Sequence, residues 1–166
     1  TTPSSATPSP ATTAAATAEV TELLPLTQQQ LTAAIRLAVG FTTAYGSHRY
    51  DRPPQTYLAR LRPMTTPELY AALARAANTP SLQTQRTRDH ETAAAHATAT
   101  KIRTIGASSL ILLIDVQQDI TTTAGRRQRT QHLAVTTVRT GQDGWAVHDI
   151  QPANAGNAGD TDASHG

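Results

Sequence analysis

Between Ala77 and His96 the spacing of apolar residues changes, and that change constrains the fold more than any other feature of the chain. Before it, Leu31, Ile35, Ala38, Val39, Thr42 and Tyr45 recur at three- and four-residue steps. That spacing puts them on one face of a helix. Tyr57, Leu58 and Leu61 make a shorter apolar face, and Leu69 and Leu73, with Tyr70 or Ala76, a third. After it, the period becomes two. Thr98, Thr100, Ile102 and Thr104 alternate, and Leu110 to Ile114 is a continuous apolar run continuing to Ile120. Leu133, Val135 and Val138, then Trp145, Val147 and Ile150, mark two further strands. A helical period cannot be buried as a strand, nor a strand period as a helix. The pattern predicts three helices followed by four antiparallel strands, an α+β fold with the helices on one face of a curved sheet.

Local signals punctuate the same elements. Thr27 is a good N-cap for the first helix, with Gly46 as its C-cap. The segment Ser47–Arg52 reads as a loop. Pro53 and Pro54 open the second helix, which stops before Pro63. Thr65 and Glu68 have capping-box spacing, with Pro67 in the first turn of the third helix. Asn78 to Arg88 is polar, contains Pro80 and reads as a connection. Turns are expected at Thr121–Gly125 and Gly141–Gly144, where Asp143-Gly144 is a hairpin signal.

The ends differ from the middle. Thr1 to Thr17 contains only Thr, Pro, Ser and Ala, which cannot offset its ordering entropy. Residues 1–25 are therefore expected to be a disordered tether, 26–152 a single domain and 153–166 a disordered tail. The sequence does not begin with Met, and Met64 is its only methionine. A removed signal or membrane anchor upstream is expected, with the tether spacing the folded head from it. Low lysine against frequent arginine, and abundant Ala and Thr, fit a GC-rich genome such as an actinomycete's.

Composition narrows the chemistry. The absence of cysteine excludes disulfides, a thiolate nucleophile and Cys-type zinc sites. With 14 basic and 12 acidic residues the net charge is +2, too balanced to imply nucleic acid as a direct partner. No Gly-rich phosphate loop, nucleophile elbow or paired-carboxylate pattern occurs. Asp89, His90, Glu91 and His96 cluster in sequence but lack metal-ligand spacing and read as a solvated loop. No cofactor, metal or catalytic set is expected.

Three groups of residues are candidates for a site. Tyr45, Tyr57, Tyr70, Asp115 and His132 would line a pocket between sheet and helices, where an Asp in apolar surroundings could serve as a general base. The competing reading is that Asp115 marks where its strand emerges from cover or pairs with a neighbouring Arg on the sheet. Arg126, Arg127 and Arg129 at a hairpin tip would contact phosphate, a lipid headgroup or an acidic partner surface, or simply protect an edge. Trp145 is read as core, with an interface anchor as the alternative.

Two stretches carry a family resemblance. One is Phe41-Thr42-Thr43-Ala44-Tyr45 with Pro54-Gln55-Thr56-Tyr57-Leu58-Ala59-Arg60-Leu61-Arg62-Pro63; the other is Asp143-Gly144-Trp145-Ala146-Val147-His148-Asp149-Ile150. Together with the element order they resemble the nuclear transport factor 2-like cone, also seen in ketosteroid isomerases. They are most similar to extracytoplasmic domains of actinobacterial secreted proteins and of conjugation scaffold proteins in Gram-positive type IV secretion systems. The similarity covers about residues 27–152. It implies a membrane-tethered extracytoplasmic head that oligomerises or docks other membrane or secretion-apparatus subunits. It supplies no catalytic set, since only Tyr45 and Asp115 are candidates for an isomerase-type acid–base pair. The alternatives are a binder of small hydrophobic ligands or an isomerase-like pocket enzyme on the same fold, and an envelope protein that meets lipid through Arg126–Arg129.

Overall fold

The computed structural model describes residues 23–155. The tether expected over 1–25 and the tail expected over 153–166 lie outside these residues except for three positions each. Among the described residues there are four α-helices and five strands: α1 (Gln28–Gly46), β1 (His48–Arg49), α2 (Pro54–Leu61), α3 (Pro67–Ala77), α4 (Pro80–Arg88), β2 (Thr92–Ile105), β3 (Ser109–Thr122), β4 (Gly125–Thr140) and β5 (Gly144–Pro152). The fold is α+β, with one helix and one short strand more than the periodicity predicts. The strands form one antiparallel sheet in the order β1-β2-β3-β4-β5.

The two additions have different reasons for being hard to read. β1 is two residues long, too short to show a period; it exists because His48 and Arg49 pair with Ala93 and Thr92. α4 occupies the stretch expected to be a connection and buries no residue, so it has no apolar face to detect. Pro80 in its first turn and Arg86 and Arg88 in its last suit the helix geometry and dipole. Its C-terminus is fastened by Asp89 N–H to Gln85 and Glu91 N–H to Arg86.

α1 is the organising helix. Thr27 and Gln30 form a reciprocal capping box: each backbone N–H donates to the other's side-chain oxygen, at 2.9 and 3.2 Å. Its face Ala34, Ala38, Phe41, Thr42 and Gly46 is buried against the sheet. The core combines that face with Leu61 and Leu69 from the helices and Leu110, Leu112, Ile114, Val116, Val135 and Val147 from the strands. For α3 the cap lies one residue later than Thr65: the Thr66 side chain accepts from Leu69 N–H, while Thr66 N–H donates to Val147 on β5. That second bond ties the helix start to the sheet edge.

Two irregularities in β2 bend the sheet. Ala99 pairs with Ile114 but Lys101 with Leu113, and Ile102 with Leu112 but Thr104 with Ile111, so Thr100 and Arg103 are each an extra residue. The inward face is Ala93, Ala95, Ala97 and Ala99, followed after the first bulge by Ile102 and after the second by Ile105. The expected face of Thr98, Thr100, Ile102 and Thr104 is therefore corrected: the three threonines are exposed. The resulting curl is deep enough for the Arg103 guanidinium to donate to the Ala153 carbonyl, just past β5, at 2.6 Å. In the last hairpin the left-handed residue is Gly141, at φ 78°, and not Gly144.

Candidate functional site

The loop after α1, the helix α2, the second half of α4, the starts of β2 and β4 and the end of β3 surround a groove of about 1220 Å³. Six arginines line it, Arg49, Arg52, Arg60, Arg86, Arg126 and Arg127, against two aspartates, Asp51 and Asp119. The whole chain carries a net charge of only +2, so this end of the molecule concentrates its positive charge.

The two carboxylates are already engaged. Asp51 accepts from Arg49 Nε and Nη2 at 2.8 and 2.7 Å, a two-point contact that holds its carboxyl below the usual carboxylate range. Asp119 accepts from Gln128 at 3.0 Å. Arg60 donates to the Ser47 carbonyl at 3.0 Å and sits over the Tyr57 ring. Arg49 is thus the one groove-lining arginine with a hydrogen-bonded carboxylate among the described residues; Arg52, Arg60, Arg86, Arg126 and Arg127 have none.

At the groove wall a third carboxylate is shared three ways. Glu91 Oε1 is 2.8 Å from His48 Nε2 and 3.8 Å from Arg86 Nε, and its Oε2 is 3.7 Å from Arg127 Nη2. Only the His48 contact is a hydrogen bond. Burial lowers the His48 pKa, and the Glu91 bond opposes that effect without reversing it. The neutral imidazole is thus favoured, and Arg86 Nε is buried with no hydrogen-bond partner among the described residues.

The candidate residues from the sequence separate. Tyr57 lines the groove, but its hydroxyl donates to the Tyr45 carbonyl at 3.0 Å and burial pushes its pKa up, so it braces α2 against α1. Tyr45 stacks on Phe41 with ring centroids 5.8 Å apart, beside the core. Tyr70 lies under the Arg62 guanidinium, 5.6 Å away. Asp115 is corrected from pocket liner to outer-face residue. Ile114 and Val116 point into the core, so pleating sends Asp115 to the opposite face, where it bonds His132 Nδ1 across the β3–β4 ladder at 2.7 Å. Arg127 and Arg129 stand opposite the buried Ile120 and Gln118 and share the helix-side face, whereas Arg126 stands opposite the exposed Thr121 on the other. Trp145 is half-buried and packs on the core.

His90, Glu91 and His96 diverge: the His90 ring stacks on Tyr50, Glu91 turns to His48, and His96 is exposed. No group of three or more metal-binding side chains occurs among the described residues, and no helix there is long and apolar enough to cross a membrane.

Three solved structures share the architecture. An IcmL-like type IV secretion system protein from Legionella pneumophila superposes with a TM-score of 0.57 at 15% identity, over 76% of this chain and 91% of that one. CagV, a VirB8 homolog of the type IV secretion system of Helicobacter pylori, gives 0.56 at 12% identity, over 72% and 95%. An Ntf2-like protein involved in plasmid conjugation gives 0.55 at 13% identity, over 77% of this chain and half of that one, 50%. The fold is NTF2-like. No family model matches the sequence, and no curated protein matches it significantly. Identities this low carry the fold and not the activity.

Arg49, Arg52 and Arg60 stand apart in the sequence and signal nothing there. They converge because α1 ends at Gly46 and the chain turns back through β1 into α2.

Proposed function

We propose that this NTF2-like domain is a non-catalytic assembly module of a type IV secretion or conjugation apparatus. In this reading it lies outside the cytoplasm, is tethered to the membrane by a segment upstream of the Thr/Pro/Ala-rich stretch, and binds other subunits of the apparatus or further copies of itself. The observation that carries it is the likeness of fold to three proteins whose descriptions all name type IV secretion or conjugation. The outward position of Asp115 adds support, because it takes that carboxyl out of the helix–sheet interior, where pocket catalysis would need it.

Cross-linking in the source cell, followed by membrane solubilisation and mass spectrometry, tests the reading. The expected result is recovery of the chain in a high-mass complex with membrane subunits of a transfer apparatus. Recovery as a free monomer from the cytoplasm would sink it.

A further inference from the structure

Glu91 meets two guanidiniums, and neither is hydrogen-bonded to it. Its Oε1 is taken by His48, while Arg86 Nε and Arg127 Nη2 stand off at 3.8 and 3.7 Å. A buried N–H left without an acceptor is costly, and native structures rarely keep one. Arg86 Nε is in that position, sealed from solvent beside Glu91, while its side chain is 31% exposed along a groove whose lining includes Arg49, Arg52, Arg60 and Arg127 and two aspartates that are already hydrogen-bonded. The groove also has an apolar component, from Pro53, Pro54, Ala77, Ala93 and Ile120.

We propose that this groove docks an acidic peptide segment of a partner subunit. A carboxylate of that segment bonds Arg127, whose side chain is 67% exposed and has no hydrogen-bonded acceptor, further acidic side chains meet Arg52 and Arg60, and apolar ones rest on the Pro53–Pro54 and Ile120 surfaces. Planar guanidiniums suit carboxylates because they can be bonded at two points. Nucleic acid fits the lining less well. Single strands are held by aromatic rings open for stacking, and here the Tyr50 ring is stacked on His90 while Tyr57 is half-buried and tied to Tyr45. A recessed groove also suits a chain better than a flat lipid surface.

This inference rests on the assembly reading and names the site through which it would act. The test titrates the full chain against a fluorescein-labelled peptide alternating Glu with Leu, read by fluorescence anisotropy. Binding is expected, and it should weaken as salt rises from about 0.01 M to about 0.15 M, where the Debye length falls from about 30 Å to about 8 Å. Arg127→Glu should weaken it at least about tenfold, as loss of a charge-assisted hydrogen bond does. Arg129→Glu makes the same charge change two residues along the same face, outside the groove lining, and should cost less than about threefold. Arg52→Glu, on an exposed loop, repeats the test if Arg127→Glu does not fold. No binding, or equal loss in Arg127→Glu and Arg129→Glu, overturns the proposal. So does tighter binding of oligothymidine or of phosphatidylglycerol vesicles through the same arginines. Recovery of the chain with apparatus subunits after cross-linking, with no peptide binding here, would remove the groove proposal alone.

Discussion

Gly46 ends α1 where the helix touches the sheet, and replacing it with Ala should cost the domain much of its stability. A Cβ at this position would sit 2.6 Å from the Ala95 Cβ on β2, where ordinary contact begins near 3.4 Å. The Ala95 Cβ is fixed to the strand backbone and cannot swing aside. The helix end must therefore retreat by about 0.8 Å. Overpacking of this kind costs about 1–3 kcal/mol. The same retreat stretches the buried bond from Gln118 Nε2 to the Gly46 carbonyl, now 2.7 Å. Leaving that amide unsatisfied adds about 1–3 kcal/mol. A combined loss of about 3 kcal/mol corresponds to a fall in Tm of about 10 °C for a domain of this size. Gly40→Ala is the internal control. Gly40 is exposed in the same helix, with the nearest atom to its added Cβ, Met64 Sδ, at 4.0 Å, so the change should stabilise by about 0.5–1 kcal/mol through helix propensity. Thermal melts followed by circular dichroism at 222 nm compare the two. A Gly46→Ala chain that melts with or above the wild type would refute the close packing of α1 on β2.

Further perturbations check other parts of the structure. Leu112→Ala removes a buried side chain from the centre of β3 and should cost about 2–5 kcal/mol in urea denaturation; a loss under 1 kcal/mol would mean that the core is elsewhere. Thr27→Ala breaks the capping box of α1 and should cost about 1 kcal/mol by the same assay, with no change in m. Asp115 and His132 are paired on the open face with side chains 43% and 66% exposed, so a double-mutant cycle with Asn and Gln should give a coupling under about 1 kcal/mol; several kcal/mol would place the pair in a dry pocket instead. His48 has a lowered pKa in the fold, so below its unfolded value of 6.5 the unfolded chain binds the proton more readily. Its contribution is complete above pH 6.5 and is lost as pH falls from there through the lower folded value. Stability measured between pH 7 and pH 5 should accordingly fall less in His48→Gln than in the wild type, and parallel curves would contradict this.

The elements with strong periods could be read from the sequence because burial imposes them. α1, β3 and β5 each pack a continuous apolar series against the core, and that series is visible in the chain. β2 was legible as a strand but not in its facing, because Thr100 and Arg103 each add a residue and shift the phase of the alternation. α4 was invisible because its stability comes from its ends and its fastening to Glu91, not from a buried stripe. The site was mostly illegible for a related reason. Arg126 and Arg127 adjoin in sequence yet fall on opposite faces, while Arg49, Arg52 and Arg60 are brought together by the return of the chain after Gly46 and Arg86 reaches the same groove from α4. The facing of Asp115 stays open in the sequence because Leu110–Ile114 is apolar on both faces, so the run itself does not say which side an adjoining residue takes.

Under the proposed function, this domain assembles a transfer apparatus without performing chemistry. Deleting its gene and measuring transfer of a mobilisable plasmid or secreted substrate in the source cell, with complementation by wild type and by an Asp115→Asn, His132→Gln double variant, tests it directly. The account predicts that transfer falls by orders of magnitude and that both versions restore it fully. Unchanged transfer after deletion, or failure of a folded double variant to restore it, would contradict the account.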